Sequence, residues 1–206
     1  MRFIIFVLLL TAVASASNSK YSLDVYIESI CGDCHRFVAN ELKFIALHPE
    51  LLDYVDFNLH IFGKARITSR SPARFVCQFG EAGCTGDKAL NCIYKHSTSF
   101  TNAVKVMECI YETGYASESS IRMCYDKFYQ KSADAIQCFK SDEADQLMLE
   151  AGDNTPPLRW VPAFSDGGDI RFDTRNIVKE ICGHIEGEKP AVCGTSQHTV
   201  GMDSEL

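Results

Sequence analysis

The chain has 206 residues, a formal net charge of −7 and a hydrophobic share of 46%. That length supports one domain with a substantial core, and an acidic chain without a basic stripe excludes the usual nucleic-acid binders. No stretch reaches the roughly 18 apolar residues of a membrane span, so no membrane anchor is expected.

Met1-Arg2 supplies a positive start, Phe3 to Val13 is an apolar run, and Ala14-Ser15-Ala16 fits a small-residue cleavage site. This reads as a secretory signal peptide over residues 1–16, which makes the chain secreted or endolysosomal. In such an oxidising setting the ten cysteines, all beyond residue 16, imply a disulfide framework. Cys31 and Cys34 form a close pair. Cys77, Cys84, Cys92, Cys109, Cys124, Cys138, Cys182 and Cys193 suffice for up to four structural bridges, whose pairing the spacing leaves open.

From Tyr21, the residues Leu23, Val25 and Ile27 alternate with polar neighbours, a strand period running towards Ile30. Phe37, Val38, Leu42, Ile45 and Ala46 then recur at helical spacing until His48-Pro49 stops the helix. Val55, Phe57, Leu59 and Ile61 alternate again. Strand, helix and strand at this length predict a βαβ unit with parallel strands. Residues 63–86 read as a polar loop. Residues 87–151 read as a helical insert in three runs: Leu90 to Tyr111, Ile121 to Tyr129 and Ala135 to Leu149. After Thr155-Pro156-Pro157, Trp160 to Phe164 predicts a short strand, Asp166-Gly167-Gly168-Asp169 a turn, and Ile170-Arg171-Phe172 its partner strand. Asp173 or Thr174 is placed to cap a last helix to Ile185. Residues 17–193 are thus expected to form one α/β domain, a disulfide-rich thioredoxin-like fold with a helical insertion, followed by a flexible tail over 194–206.

The chemistry is expected at Cys31-Gly32-Asp33-Cys34. Thiol–disulfide exchange needs a thiolate. A sulfur where a strand hands over to a helix meets unpaired N–H groups and the positive end of the helix dipole. Cys31 is the expected nucleophile and Cys34, one turn on, the resolving thiol. A protonated His35 would favour the thiolate and an ionised Asp33 would oppose it. Zinc would need two further ligands. No second C-x-x-C follows, and His48, His60, His96, His184 and His198 form no cluster at metal spacing, so neither metal nor cofactor is expected. Pro162, after Val161, is read as a cis proline beside the dithiol that offers backbone to an extended substrate, and Trp160 as core or groove lining.

The stretch Cys77-Gln78-Phe79-Gly80-Glu81-Ala82-Gly83-Cys84-Thr85-Gly86-Asp87-Lys88-Ala89-Leu90-Asn91-Cys92 resembles the signature of the gamma-interferon-inducible lysosomal thiol reductases (GILT), C-Q-H-G-x-x-E-C-x-x-N-x-x-x-x-C. Cys77, Gln78, Gly80, Cys84 and Cys92 match. Phe79, Gly83 and Asp87 stand where the pattern has His, Glu and Asn. The later cysteines and Val161-Pro162 also resemble the family. The resemblance implies a reductase of protein disulfides, in acidic endolysosomes or secreted, using Cys31 and Cys34. The alternative reading is a secreted GILT-like protein, weakly active or inactive, that binds a protein or cell-surface partner. A homodimer is compatible with that second reading.

Overall fold

A computed structural model of the chain describes residues 20–194. The expected signal peptide and all but the first residue of the expected tail lie outside that range. No described helix is long and apolar enough to cross a membrane.

Strand β1 (Tyr21–Ile27) is the middle of a three-stranded sheet. It runs parallel to β2 (Val55–Ile61), with Tyr21 opposite Val55 and Ile27 opposite Ile61. It pairs antiparallel with β5 (Ala163–Ser165). The crossover from β1 to β2 is a continuous helical rod: α1 (Gly32–Phe37), a π-helical turn (Val38–Leu42) and α2 (Lys43–Leu47). Strand β2 alternates buried Val55, Phe57, Leu59 and Ile61 with exposed or partly exposed partners, the pattern of a half-buried strand. A central strand with neighbours on both sides is buried towards its end, and Val25, Tyr26 and Ile27 all are.

The helical insert is longer than its hydrophobic periodicity predicts. Residues 63–86 are not a loop: they form the hairpin β3 (Arg66–Arg70) and β4 (Ala73–Val76) and the first two turns of α3 (Gly80–His96). The hairpin packs Ile67 and Phe75 onto a small satellite core of Phe62, Ala65, Cys77, Met148 and Ala151. Its other face carries Arg66, Thr68, Arg70 and Arg74 with the exposed Val76, so each strand buries little apolar surface and its signal is short. The first turns of α3 carry Gly80, Gly83 and Gly86, poor helix formers that mask the element locally. The run expected over Leu90–Tyr111 is two helices, α3 and α4 (Phe100–Thr113). Ser99 divides them by accepting the Asn102 N–H at 3.2 Å as an N-cap, and Gly114 ends α4 in the left-handed region.

Helices α5 (Glu118–Lys127), α6 (Ala133–Phe139) and α7 (Asp142–Asp153) complete the insert. Ser117 and Ser120 form a reciprocal capping box for α5, while Ser141 caps α7 ahead of Asp142, Glu143 and Asp145, acids that suit a helix start. After the insert, the strand expected from Trp160 begins only at Ala163, because Pro162 has no N–H for a ladder. The predicted partner strand at 170–172 reduces to a single bridge between Phe164 and Arg171. The last helix, α8 (Ile177–His184), follows a 3-10 turn at Thr174–Asn176, with no side-chain cap. The Asp173 carboxylate is occupied instead by Arg175 Nε at 2.9 Å and Asn176 Nδ2 at 2.8 Å.

Four disulfides join the eight remaining cysteines: Cys77–Cys84, Cys92–Cys138, Cys109–Cys124 and Cys182–Cys193. They link the segment before α3 to its first turns, α3 to α6, α4 to α5, and α8 to the segment after it. Cys31 and Cys34 are free thiols.

Candidate active site

The site is built on the handover from β1 to α1. Cys31 is the N-cap of α1, with extended backbone, and its sulfur accepts the backbone N–H of Cys34 at 3.3 Å. Cys31 keeps 8% exposure, whereas Cys34 is fully buried. Of the pair, only Cys31 keeps any exposure. Interaction with the Cys34 thiol draws the Cys31 pKa down to about 7, with the N–H groups of Cys34 and Asp33 adding to it against the opposing effects of burial and Glu28. Burial pushes Cys34 well above its ordinary value, and the neighbouring Cys31 pushes it further. The two thiols are therefore chemically unequal.

The side chains flanking the motif play smaller parts than their position suggests. Asp33 pairs with Arg36 at the surface, and what it lends Cys31 is its backbone N–H. The His35 ring stacks on Tyr111 at 5.6 Å. The Cys31 thiol points at the carbonyl of Val161, 3.9 Å away, and the Val161–Pro162 bond is cis. Trp160 is half-exposed and packs on Phe172 at 4.9 Å.

The turn before Cys31 is held by residues that the hydrophobic pattern hides. Ser29 N–H donates to Asp87 Oδ1 at 2.6 Å and Ser29 Oγ donates to the Gly83 carbonyl at 2.8 Å. Tyr111 Oη donates to the Glu28 carbonyl at 2.8 Å. Glu28 is buried; its Oε2 accepts the Lys64 N–H at 3.0 Å, and its Oε1 has no hydrogen-bond partner among the described residues. Burial raises its pKa. So clamped, Ile30 adopts a φ of 61°, a conformation that costs a β-branched residue about 1–3 kcal/mol and persists only where neighbours enforce it. Glycines make the close approach feasible. A Cβ on Gly86 would lie 2.3 Å from Ser29 Oγ, and one on Gly63 (φ +56°) would lie 2.2 Å from Glu28 Oε2.

Histidines do gather with other donors, away from the dithiol. Two groups of three come within metal-binding reach among the described residues: His96, Cys138 and Glu143, and Asp166, Glu180 and His184. In the first, Cys138 is locked in a disulfide and His96 bonds Glu143 at 2.8 Å. In the second, Arg171 already neutralises Asp166 and Glu180. A surface cavity of about 710 Å³ beside this second group, lined by Arg171, Lys179 and Glu180, carries no thiol.

A parallel βαβ unit with two free thiols at the strand-to-helix handover, closed by an antiparallel strand after a helical insert, defines a disulfide-rich thioredoxin-like protein. A solved structure from Nitrosomonas europaea, described as a candidate protein disulfide isomerase, shares this fold: TM-score 0.50, 10% identity, covering 74% of this chain and 88% of that one. The model of the gamma interferon inducible lysosomal thiol reductase (GILT) family matches residues 22–141, more than half of the chain, and the chain belongs to that family. Its relatives include the gamma-interferon-inducible lysosomal thiol reductase of Carassius auratus, 26% identical over 85% of this chain and 73% of that protein. A GILT-like protein of Anopheles gambiae is 28% identical over 75% and 70%. The gamma-interferon-responsive lysosomal thiol protein of Arabidopsis thaliana is 25% identical over 89% and 80%.

Proposed function

We propose that this chain is a thiol–disulfide reductase acting on protein disulfides, with Cys31 attacking and Cys34 resolving. The observation that carries the reading is the inequality of the two sulfurs: Cys31 at a helix N-terminus with a pKa near 7 and some exposure, Cys34 buried with its proton held. The Cys31 thiolate attacks one sulfur of the substrate bridge. A mixed disulfide forms and the other substrate sulfur leaves as a thiolate, which takes up a proton. The Cys31 sulfur then no longer carries charge, so its part in holding the proton on Cys34 lapses while burial persists. Cys34 loses its proton, attacks the Cys31 sulfur and releases the second substrate thiol. Two electrons pass to the substrate, and the chain is left with a Cys31–Cys34 disulfide for an external thiol to reduce.

Val161 and Pro162 are assigned to substrate binding, since the Val161 carbonyl faces the attacking sulfur at 3.9 Å. The compartment fits a secretory or endolysosomal route, in line with relatives named lysosomal and with the signal sequence read at residues 1–16. A second reading, a secreted binding protein, draws on Phe79, which is 39% exposed where the family pattern has His.

Insulin-disulfide reduction by the chain lacking residues 1–16, at acidic and neutral pH, separates the two. Activity lost in Cys31→Ser, with Cys34→Ser accumulating a mixed disulfide on Cys31, supports the reductase. Equal background rates in all three proteins overturn it in favour of binding.

A further inference from the structure

Two of the three positions at which this chain departs from the GILT pattern touch the turn that carries Cys31. Gly83 does so through its carbonyl and Asp87 through its carboxyl, both on Ser29. Asp87 is 2% exposed. An asparagine, the residue of the pattern, would accept the Ser29 N–H through the same oxygen and carry no titratable proton. The acid thus does the structural work of the amide and adds a charge that can come and go against Ser29, two residues before the nucleophile.

The groups that face Asp87 offer that charge no cation. From the active turn just after β1 come Glu28 and the neutral Ser29; from the start of α1, Cys31 with Cys34 behind it; from α4, the buried Tyr111. Lys64 gives Glu28 a backbone N–H and a favourable charge, and both bear on Glu28 rather than on Asp87. Lys88, next to Asp87 in sequence, is engaged with Asp145 at 2.5 Å. Like charges in a low-dielectric corner oppose one another.

On the dithiol reading above, we propose that Asp87 is a tuning residue of the redox pair: protonated, it only anchors Ser29; ionised, it opposes the thiolate at Cys31 and damps its reactivity as pH rises. Burial raises the Asp87 pKa well above the usual carboxylate range, and Glu28 and Cys31 raise it further. The same repulsion destabilises the reduced, thiolate form relative to the disulfide. It therefore makes the pair more reducing than it would be with an amide at this position.

The test is Asp87→Asn in the chain lacking residues 1–16, reduced and then alkylated with iodoacetamide across the acidic-to-alkaline range, with Cys31 read by mass spectrometry. The expected result is a Cys31 midpoint lower by roughly half to one pH unit. Where Asp87 is ionised and the Cys31 thiol still mostly protonated, that means alkylation about three- to tenfold faster than in the unaltered chain, the two rates converging at acidic pH where Asp87 holds its proton. Equilibration with a glutathione buffer should find the variant pair less reducing. An unchanged midpoint overturns the proposal, because asparagine keeps the acceptor for Ser29 and a purely structural role would leave the titration alone. Should Asp87→Asn fail to fold, carbon-13 titration of the Asp87 carboxyl decides. Coupling is reciprocal, so its midpoint must fall in Cys31→Ser, and the same midpoint in both proteins overturns the proposal. Alkylation reads the thiolate whether or not any protein is reduced, so this failure is separate from that of the reductase reading.

Discussion

The Tyr111 hydroxyl donates to the carbonyl of Glu28 at 2.8 Å, tying the last turns of α4 to the residue that follows β1, 83 positions earlier. This bond lies beneath the His35 ring, which stacks on Tyr111, and it holds one end of the turn that presents Cys31. Tyr111→Phe removes the donor and leaves a buried carbonyl without it. We expect a loss of about 1–2 kcal/mol in urea unfolding, together with slower alkylation of Cys31 as the turn loosens.

The other end of the turn depends on Gly86. A methyl group there would meet Ser29 Oγ at 2.3 Å and Ser29 Cβ at 2.6 Å, so the turn or the helix must move. Gly86→Ala is intrinsically favourable in a helix by up to about 1 kcal/mol, yet it is expected to destabilise this protein by about 1–3 kcal/mol. It should also weaken the Asp87–Ser29 bond, visible as faster hydrogen exchange at the Ser29 amide. A stabilised variant would refute the clamp.

Glu41 gives the fold a pH dependence of a definite sign. It sits in the π-helical turn behind the dithiol helix, is buried, and its Oε2 has no hydrogen-bond partner among the described residues. Burial, then Asp173, raises its pKa from 4.5 to about 7, with Arg175 acting the other way. A carboxyl with a raised folded pKa binds its proton more tightly in the native state. Its contribution is therefore complete below about 4.5 and is lost as pH climbs through about 7. Unfolding in urea should show up to about 3 kcal/mol less stability above that window than below it from this group. Glu41→Gln should flatten that part of the profile.

The bridges within the insert differ in the length of chain they close. Cys92–Cys138 spans 46 residues and Cys109–Cys124 spans 15. The chain-entropy model assigns about 4 and about 3 kcal/mol to loops of these lengths. Replacing both cysteines of the first pair by alanine should therefore lower stability more than the same change at the second. Equal losses measured in urea would argue that the unfolded chain keeps structure across α3 to α6.

Strands β1 and β2, the helical rod between them and the placing of Cys31 at a helix start were all legible in the residue order. Local periodicity encodes which face of a strand or helix is apolar, and Leu23 to Ile27 and Val55 to Ile61 carry that signal without interruption. The hairpin at 66–76 and the first turns of α3 were not legible. The hairpin buries little of its own, and Gly86 of α3 serves a contact with Ser29 rather than the helix that contains it.

What the chain determined alone is the identity and spacing of two thiols at the junction of a strand and a helix, because dipole and N–H geometry act over one turn. What only the tertiary structure decided is their inequality and their surroundings: which cysteines pair, that Cys34 is sealed, and that Glu28, Asp87 and Tyr111 converge on one turn. Those are contacts between residues up to 83 positions apart. Burial and charge act through space, and neither leaves a mark in the sequence beside the residue it acts on.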